Sequence, residues 1–105
     1  MGRHALVIIT VGDREEARYI ARQLVESGLA AGAQILPIDS IYRWQENIVE
    51  DSEWLMLVKT RRDRFQAIES VVNEMHSYEV PPLLMIEMDE ASHPYLAWID
   101  ENTRG

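Results

Sequence analysis

Residues 29–45, LAAGAQILPIDSIYRWQ, and residues 48–60, IVEDSEWLMLVKT, decide the fold. Each reads as a long strand, dense in β-branched and aromatic side chains. Ile41, Arg43 and Gln45 alternate with Tyr42 and Trp44. Between the two stretches Glu46-Asn47 is a plausible hairpin turn, although the favoured glycine is missing. Pro37 has no N–H to give to a ladder, so the first of these strands should bend or bulge there, or lie at an edge. Around residues 54–58 both alternating sets are apolar, Trp54, Met56 and Val58 on one side and Leu55 and Leu57 on the other. Both faces should therefore be covered at that point. Ala30, Ala31, Gly32 and Ala33 are small throughout, which lets another backbone or a helix come close.

Working outward, residues 4–11, HALVIITV, form a buried strand, broken by Gly12-Asp13. Asp13 and Glu16 have capping-box spacing, and Ala17, Ile20, Ala21, Leu24 and Val25 then make one helical face. Gly28 stands where a helix-ending glycine belongs. Downstream, Thr60 and Asp63 have the spacing of a second cap, and Phe65, Ile68, Val72 and Met75 supply the stripe of a second helix. Val80-Pro81-Pro82 ends any helix before it, and residues 83–88 read as a fourth strand. Ser92 can cap a last short helix with Pro94 in its first turn and Tyr95, Trp98 and Ile99 on its apolar side. The order β-α-β-β-α-β plus a terminal helix is an α+β, ferredoxin-like sandwich, a single domain over residues 1–105. Both main helices then lie on one face of the sheet, and the other face needs a cover. The two long strands exceed what a domain of 105 residues can shield alone, so a homo-oligomer is expected.

Ten Lys plus Arg against eighteen Asp plus Glu give a formal charge of −8. That balance argues against a nucleic-acid binder and against a surface held to anionic lipid. Apolar runs such as residues 5–9 and 83–86 are far too short to span a bilayer. No signal-peptide pattern opens the chain. Without cysteine there is no disulfide, thiolate or cysteine-ligated metal, and the cytoplasm is the expected compartment. A Gly-x-Ser-x-Gly elbow, a Gly-x-x-x-x-Gly-Lys loop and a His-Glu-x-x-His pair are all missing, so no enzyme is expected.

Several segments occur in a characteristic order: residues 29–33 (LAAGA), 35–37 (ILP), 40–45 (SIYRWQ), 53–60, 76–81 (HSYEVP) and 95–98 (YLAW). Together, from about residue 5 to 101, they resemble the CutA family, the divalent-cation tolerance proteins. The resemblance implies a homotrimer of ferredoxin-like protomers packed sheet to sheet, similar in architecture to the PII signalling proteins. It also implies a link to copper tolerance, but no well-defined reaction. Three positions depart from the family pattern. Gly32 stands for the usual Cys, Ser77 for the usual Pro after the histidine, and Pro82 for the usual Glu. The family's proposed copper ligation uses that cysteine, the histidine matching His76 and an acidic residue near Glu53. Without the thiolate, Cu(I) loses its best ligand, while Cu(II) or Zn(II) can still be held more weakly by imidazole and carboxylate. No cofactor is required on this reading beyond such a weakly bound divalent cation.

Two readings stand for each candidate site. His76 with Glu53 and Glu79 can bind a divalent cation, with His93 a further contributor, or His76 simply closes a helix, where its protonated ring suits the dipole. Tyr42, Arg43 and Trp44, with Lys59 and Glu53 nearby across the strand pair, can line an intersubunit cleft for an anionic small molecule, or they pack an interface. Tyr78 and Trp98 read as core or interface aromatics, and His4 as exposed. The acidic run Glu87, Asp89, Glu90, Asp100 and Glu101 attracts cations loosely or keeps the assembly soluble. Three functions follow: metal tolerance through weak cation binding or a protein partner, a PII-like module for an anionic ligand, or a scaffold without a metal site.

Overall fold

Asp13 starts the first helix as expected, its Oδ1 accepting from the Glu16 N–H at 2.9 Å. The computed structural model describes residues 3–104, and in it β1 (His4–Val11) leads into α1 (Arg14–Glu26). Gly28 closes α1 with φ 77. The N–H groups of Gly28 and Leu29 return to the carbonyls of Val25 and Leu24 at 3.1 and 3.0 Å, a Schellman closure that only glycine enters without strain.

Then come β2 (Gly32–Trp44) and β3 (Asn47–Arg61). Their register runs unbroken from Gly32↔Lys59 to Trp44↔Asn47, with no bulge. The turn is Gln45–Glu46, one residue earlier than the spacing suggested, with φ 49 and 71. Two left-handed residues make the twist match of a two-residue hairpin without any glycine. Counting hydrogen-bonded pairs outward from that turn puts Pro37 and Trp54 in a non-hydrogen-bonded pair. The ring of Pro37 thus faces the open edge, where a missing donor costs nothing.

A 3-10 turn, Arg62–Arg64, precedes α2 (Phe65–Met75). The expected cap there is corrected. No side chain caps α2, the Asp63 carboxylate instead takes the Arg61 guanidinium at 3.0 and 3.1 Å, and the Thr60 hydroxyl donates to the Leu29 carbonyl at 2.6 Å. β4 (Leu83–Glu87) and α3 (His93–Glu101) complete the chain. Ser92 is the N-cap residue of α3, but its hydroxyl makes no capping bond.

The sheet order is β2-β3-β1-β4, every pair antiparallel. Val7, Ile9 and Val11 of β1 and Met56 and Val58 of β3 face α1 and α2, burying against Ile20, Leu24, Ile68 and Val72. These are the alternate positions that periodicity selects. At the base of the opposite face α3 crosses over Gly32. A Cβ on Gly32 would lie 3.0 Å from the Trp98 ring, so the small-residue segment serves a close approach of a helix. His4, expected to be exposed, has its side chain only 13% exposed and meets Asp100 Oδ1 at 2.9 Å, tying β1 to α3. Trp98 is 40% exposed and stacks on Tyr95 rather than entering the core.

β1 borders β3 only from Trp54 to Arg61, whereas β2 follows β3 as far as Asn47. Beyond Ile38 and Glu53 the hairpin is therefore a two-stranded ribbon projecting from the body. No helix among the described residues is long and apolar enough to cross a membrane.

Candidate functional site

His76 closes α2 as its C-cap residue, and Pro81-Pro82 keep the chain extended beyond it. The segment between is held on three sides. Pro82 gives its carbonyl to the Thr10 N–H at 3.2 Å. Glu16, which the capping-box reading would turn back to Asp13, instead takes the Ser77 N–H at 2.8 Å and the Ser77 hydroxyl at 2.9 Å. His76 Nε2 lies 2.6 Å from the Thr10 carbonyl, and Nδ1 lies 3.0 Å from the Tyr78 N–H. A carbonyl can only accept, so Nε2 donates to Thr10, while Nδ1 also lies 3.3 Å from Glu16 Oε2. Both ring nitrogens are thereby used within the fold.

That anchoring aims Tyr78 at β3, where its hydroxyl donates to Glu53 Oε2 at 2.5 Å. A side chain on Gly12 would meet the Tyr78 hydroxyl at 3.1 Å, so the bare glycine makes room for the ring. Burial and the Glu53 carboxylate push the Tyr78 phenol well above its ordinary value of 10.0. It stays a donor through any physiological pH. Glu53 itself is 4% exposed and forms no ion pair among the described residues. Nearby, the Tyr42 hydroxyl donates to Asp51 Oδ2 at 3.1 Å, and desolvation together with that carboxylate raises the Tyr42 phenol too.

Between the ribbon and the 76–82 segment lies a cavity of ≈ 720 Å³. Asp39, Glu53 and Glu79 supply its carboxylates, and Tyr42, Trp44 and Tyr78 its aromatic walls; among the described residues no Lys, Arg or His lines it. Thus Glu53, Glu79, Tyr42 and Trp44, split between two candidate sites in the sequence, share one wall. His76 stands behind it, turned to the backbone. Arg43 is exposed and outside the cavity. Lys59 is corrected: it is not near Arg43 within a protomer. Its rung partner is Gly32, about 35 Å along the strand from Arg43. There its ammonium donates to Gln34 Oε1, and burial lowers its pKa. His93 lies with Asp89 and Glu90 at a separate shallow surface. Among the described residues no three of the histidine and carboxylate side chains converge as metal ligands. The donors present do not fit a dehydrated metal ion.

Periodicity missed Asp39, and it missed Glu16 as the anchor of the 76–82 segment. No local signal marks either, since Glu16 and Ser77 are 61 residues apart.

The topology and the ribbon define a ferredoxin-like α+β protein with an extended β2–β3 hairpin. The family model described as "CutA1 divalent ion tolerance protein" matches residues 5–102, and the chain belongs to that family. The divalent-cation tolerance protein CutA of Thermus thermophilus is 46% identical over 99 residues, covering 93% of this chain and 96% of that one. Human protein CutA is 36% identical over 103 residues, and there the match spans 58% of the relative. Among solved structures, the periplasmic divalent cation tolerance protein CutA from Archaeoglobus fulgidus superposes with a TM-score of 0.94 at 38% identity, covering 96% of this chain and 99% of that one. CutA1 from the psychrotrophic Shewanella sp. SIB1 gives 0.94 at 37%, covering 99% and 98%.

Proposed function

We propose that the protein works as a homotrimer in divalent-cation tolerance, copper included, by gathering hydrated cations weakly rather than by catalysis or tight ligation. The observation that carries this reading is the sign of the cavity: among the described residues three carboxylates and no base line it. Water-mediated attraction to carboxylates needs no converging ligand set and favours Cu(II) or Zn(II) over monovalent ions. An anionic ligand, as in a PII-like module, would meet like charge there, and the two cations that suggested it lie elsewhere. A cytoplasmic site of action belongs to the same proposal, and cell fractionation tests it.

Calorimetric titration with Cu(II) and Zn(II) is the test. Glu53→Gln is expected to weaken both several-fold. His76→Gln should leave Cu(II) affinity unchanged, since neither ring nitrogen is free. A strong loss on His76→Gln, or no heat with either metal, overturns the reading.

A further inference from the structure

The cavity between the ribbon and the 76–82 segment is far larger than an ion. At ≈ 720 Å³ it falls in the range of small-molecule sites. Its carboxylates are spread so that no three histidine or acidic groups among the described residues can close on one metal. One of them is unusual. Glu53 is more than nine-tenths buried, and its sole hydrogen-bond partner among the described residues is a neutral phenol on Oε2. Its Oε1 accepts from no donor among the described residues, and Glu53 lines the cavity. Glu53 has no cationic partner among the described residues, and a positive group placed beside a largely buried carboxylate gains a strong charge-assisted contact. The rest of the lining is matched to such a group. Tyr42, Trp44 and Tyr78 line the cavity, and aromatic rings attract ammonium groups once water is excluded. Asp39 and Glu79 add negative potential across the mouth.

We propose that this cavity binds a small organic cation, an amine or quaternary ammonium on a compact organic body, with its charge against Glu53 and its body against Trp44 and Tyr42. This deepens the cation reading above, since it rests on the same acidic wall, but it assigns a different ligand class. A hydrated metal ion needs the charge alone. An organic cation needs the charge and the aromatic walls together.

The test is a calorimetric and tryptophan-fluorescence titration of the assembled protein at low salt with benzyltrimethylammonium. Benzyl alcohol and benzoate serve as neutral and anionic counterparts, and Zn(II) is titrated in parallel. Saturable binding of the quaternary ammonium is expected, with both counterparts at least about tenfold weaker. Trp44→Leu should weaken the ammonium about tenfold and leave the Zn(II) isotherm unchanged. Tyr42→Leu replaces it if light scattering shows that Trp44→Leu alters assembly. Glu79→Gln, at an exposed position, should weaken both ligands a few-fold. Failure of the ammonium to saturate, equal or tighter binding of benzoate, or indifference to the aromatic variants each overturns the proposal. If Zn(II) heat persists while the ammonium fails, this proposal falls and the metal reading stands. If the ammonium binds without Zn(II) heat, the metal reading falls alone.

Discussion

Tyr78 and Glu53 show how one residue pair sets the chemistry of this face. The phenol is the only donor to a buried carboxylate among the described residues, and burial together with that carboxylate holds the phenol protonated. The sign follows for stability. The Tyr78 pKa is raised in the folded state above 10.0, so between those values the folded chain binds a proton that the unfolded chain has lost. Stability is fully present below pH 10 and declines as pH rises through that window. Denaturant midpoints should fall above pH 10, and Tyr78→Phe should flatten that fall while costing about 1 kcal/mol at neutral pH. Ultraviolet titration of tyrosinate gives the check: in Glu53→Gln one slow-titrating tyrosine should return toward 10.0. At Gly28 the backbone alone sets the cost of a side chain. Alanine at φ 77 should cost about 1 kcal/mol in urea melts, with no change in slope.

At the scale of elements, strand and helix identity was legible because burial repeats with their periods. Ile9, Met56, Val58, Ile20 and Val72 all fall where alternation or helical spacing places them. Turn position and caps were less legible, because they depend on single residues with near-equal alternatives. Gln45–Glu46 and Glu46-Asn47 differ by one residue, and the continuous ladder down to Gly32↔Lys59 decides between them. Thr60 carries the same lesson. Its spacing to Asp63 imitates a cap, but alternation along β3 turns the side chain inward, where it is fully buried and satisfies the Leu29 carbonyl. That bond ties β3 to the segment joining α1 and β2. Thr60→Val keeps the shape and removes the donor, leaving a carbonyl unpaired. A loss of about 1–3 kcal/mol is expected in chemical denaturation, with fold retained by circular dichroism. The site was half legible for a related reason. Residue type singled out Glu53, Glu79, Tyr42 and Trp44, but only the chain's path could show that they share a wall while Lys59 stands at the ribbon's other end.

For the whole molecule, the ribbon is the feature that a lone protomer cannot explain. From Ile38 and Glu53 to the turn it is two strands with no third beside them, and isolated hairpins are marginal in water. Its apolar side chains have no cover, with Ile41 71% and Ile48 60% exposed, and they are near neighbours on adjacent rungs of one face. Leu84 and Ile86 likewise lie open on the sheet face away from α1 and α2. An unpartnered surface of this kind gains about 25 cal/mol for each Å² removed from water, which favours association over solvated ribbons. The proposed trimer satisfies all of these groups at once if each ribbon lies across a neighbour, and it couples ribbon order to assembly. Light scattering should therefore give three times the 12.2 kDa protomer mass, unchanged on dilution to low micromolar concentration. Ile48→Asp places a charge in the covered surface without touching the core built on Ile9 and Met56. It should lower the mass toward one protomer while far-ultraviolet circular dichroism keeps the sheet and helix signal. A wild-type mass of 12.2 kDa with a fully protected ribbon in hydrogen exchange would contradict this, because two strands alone do not protect their outward amides.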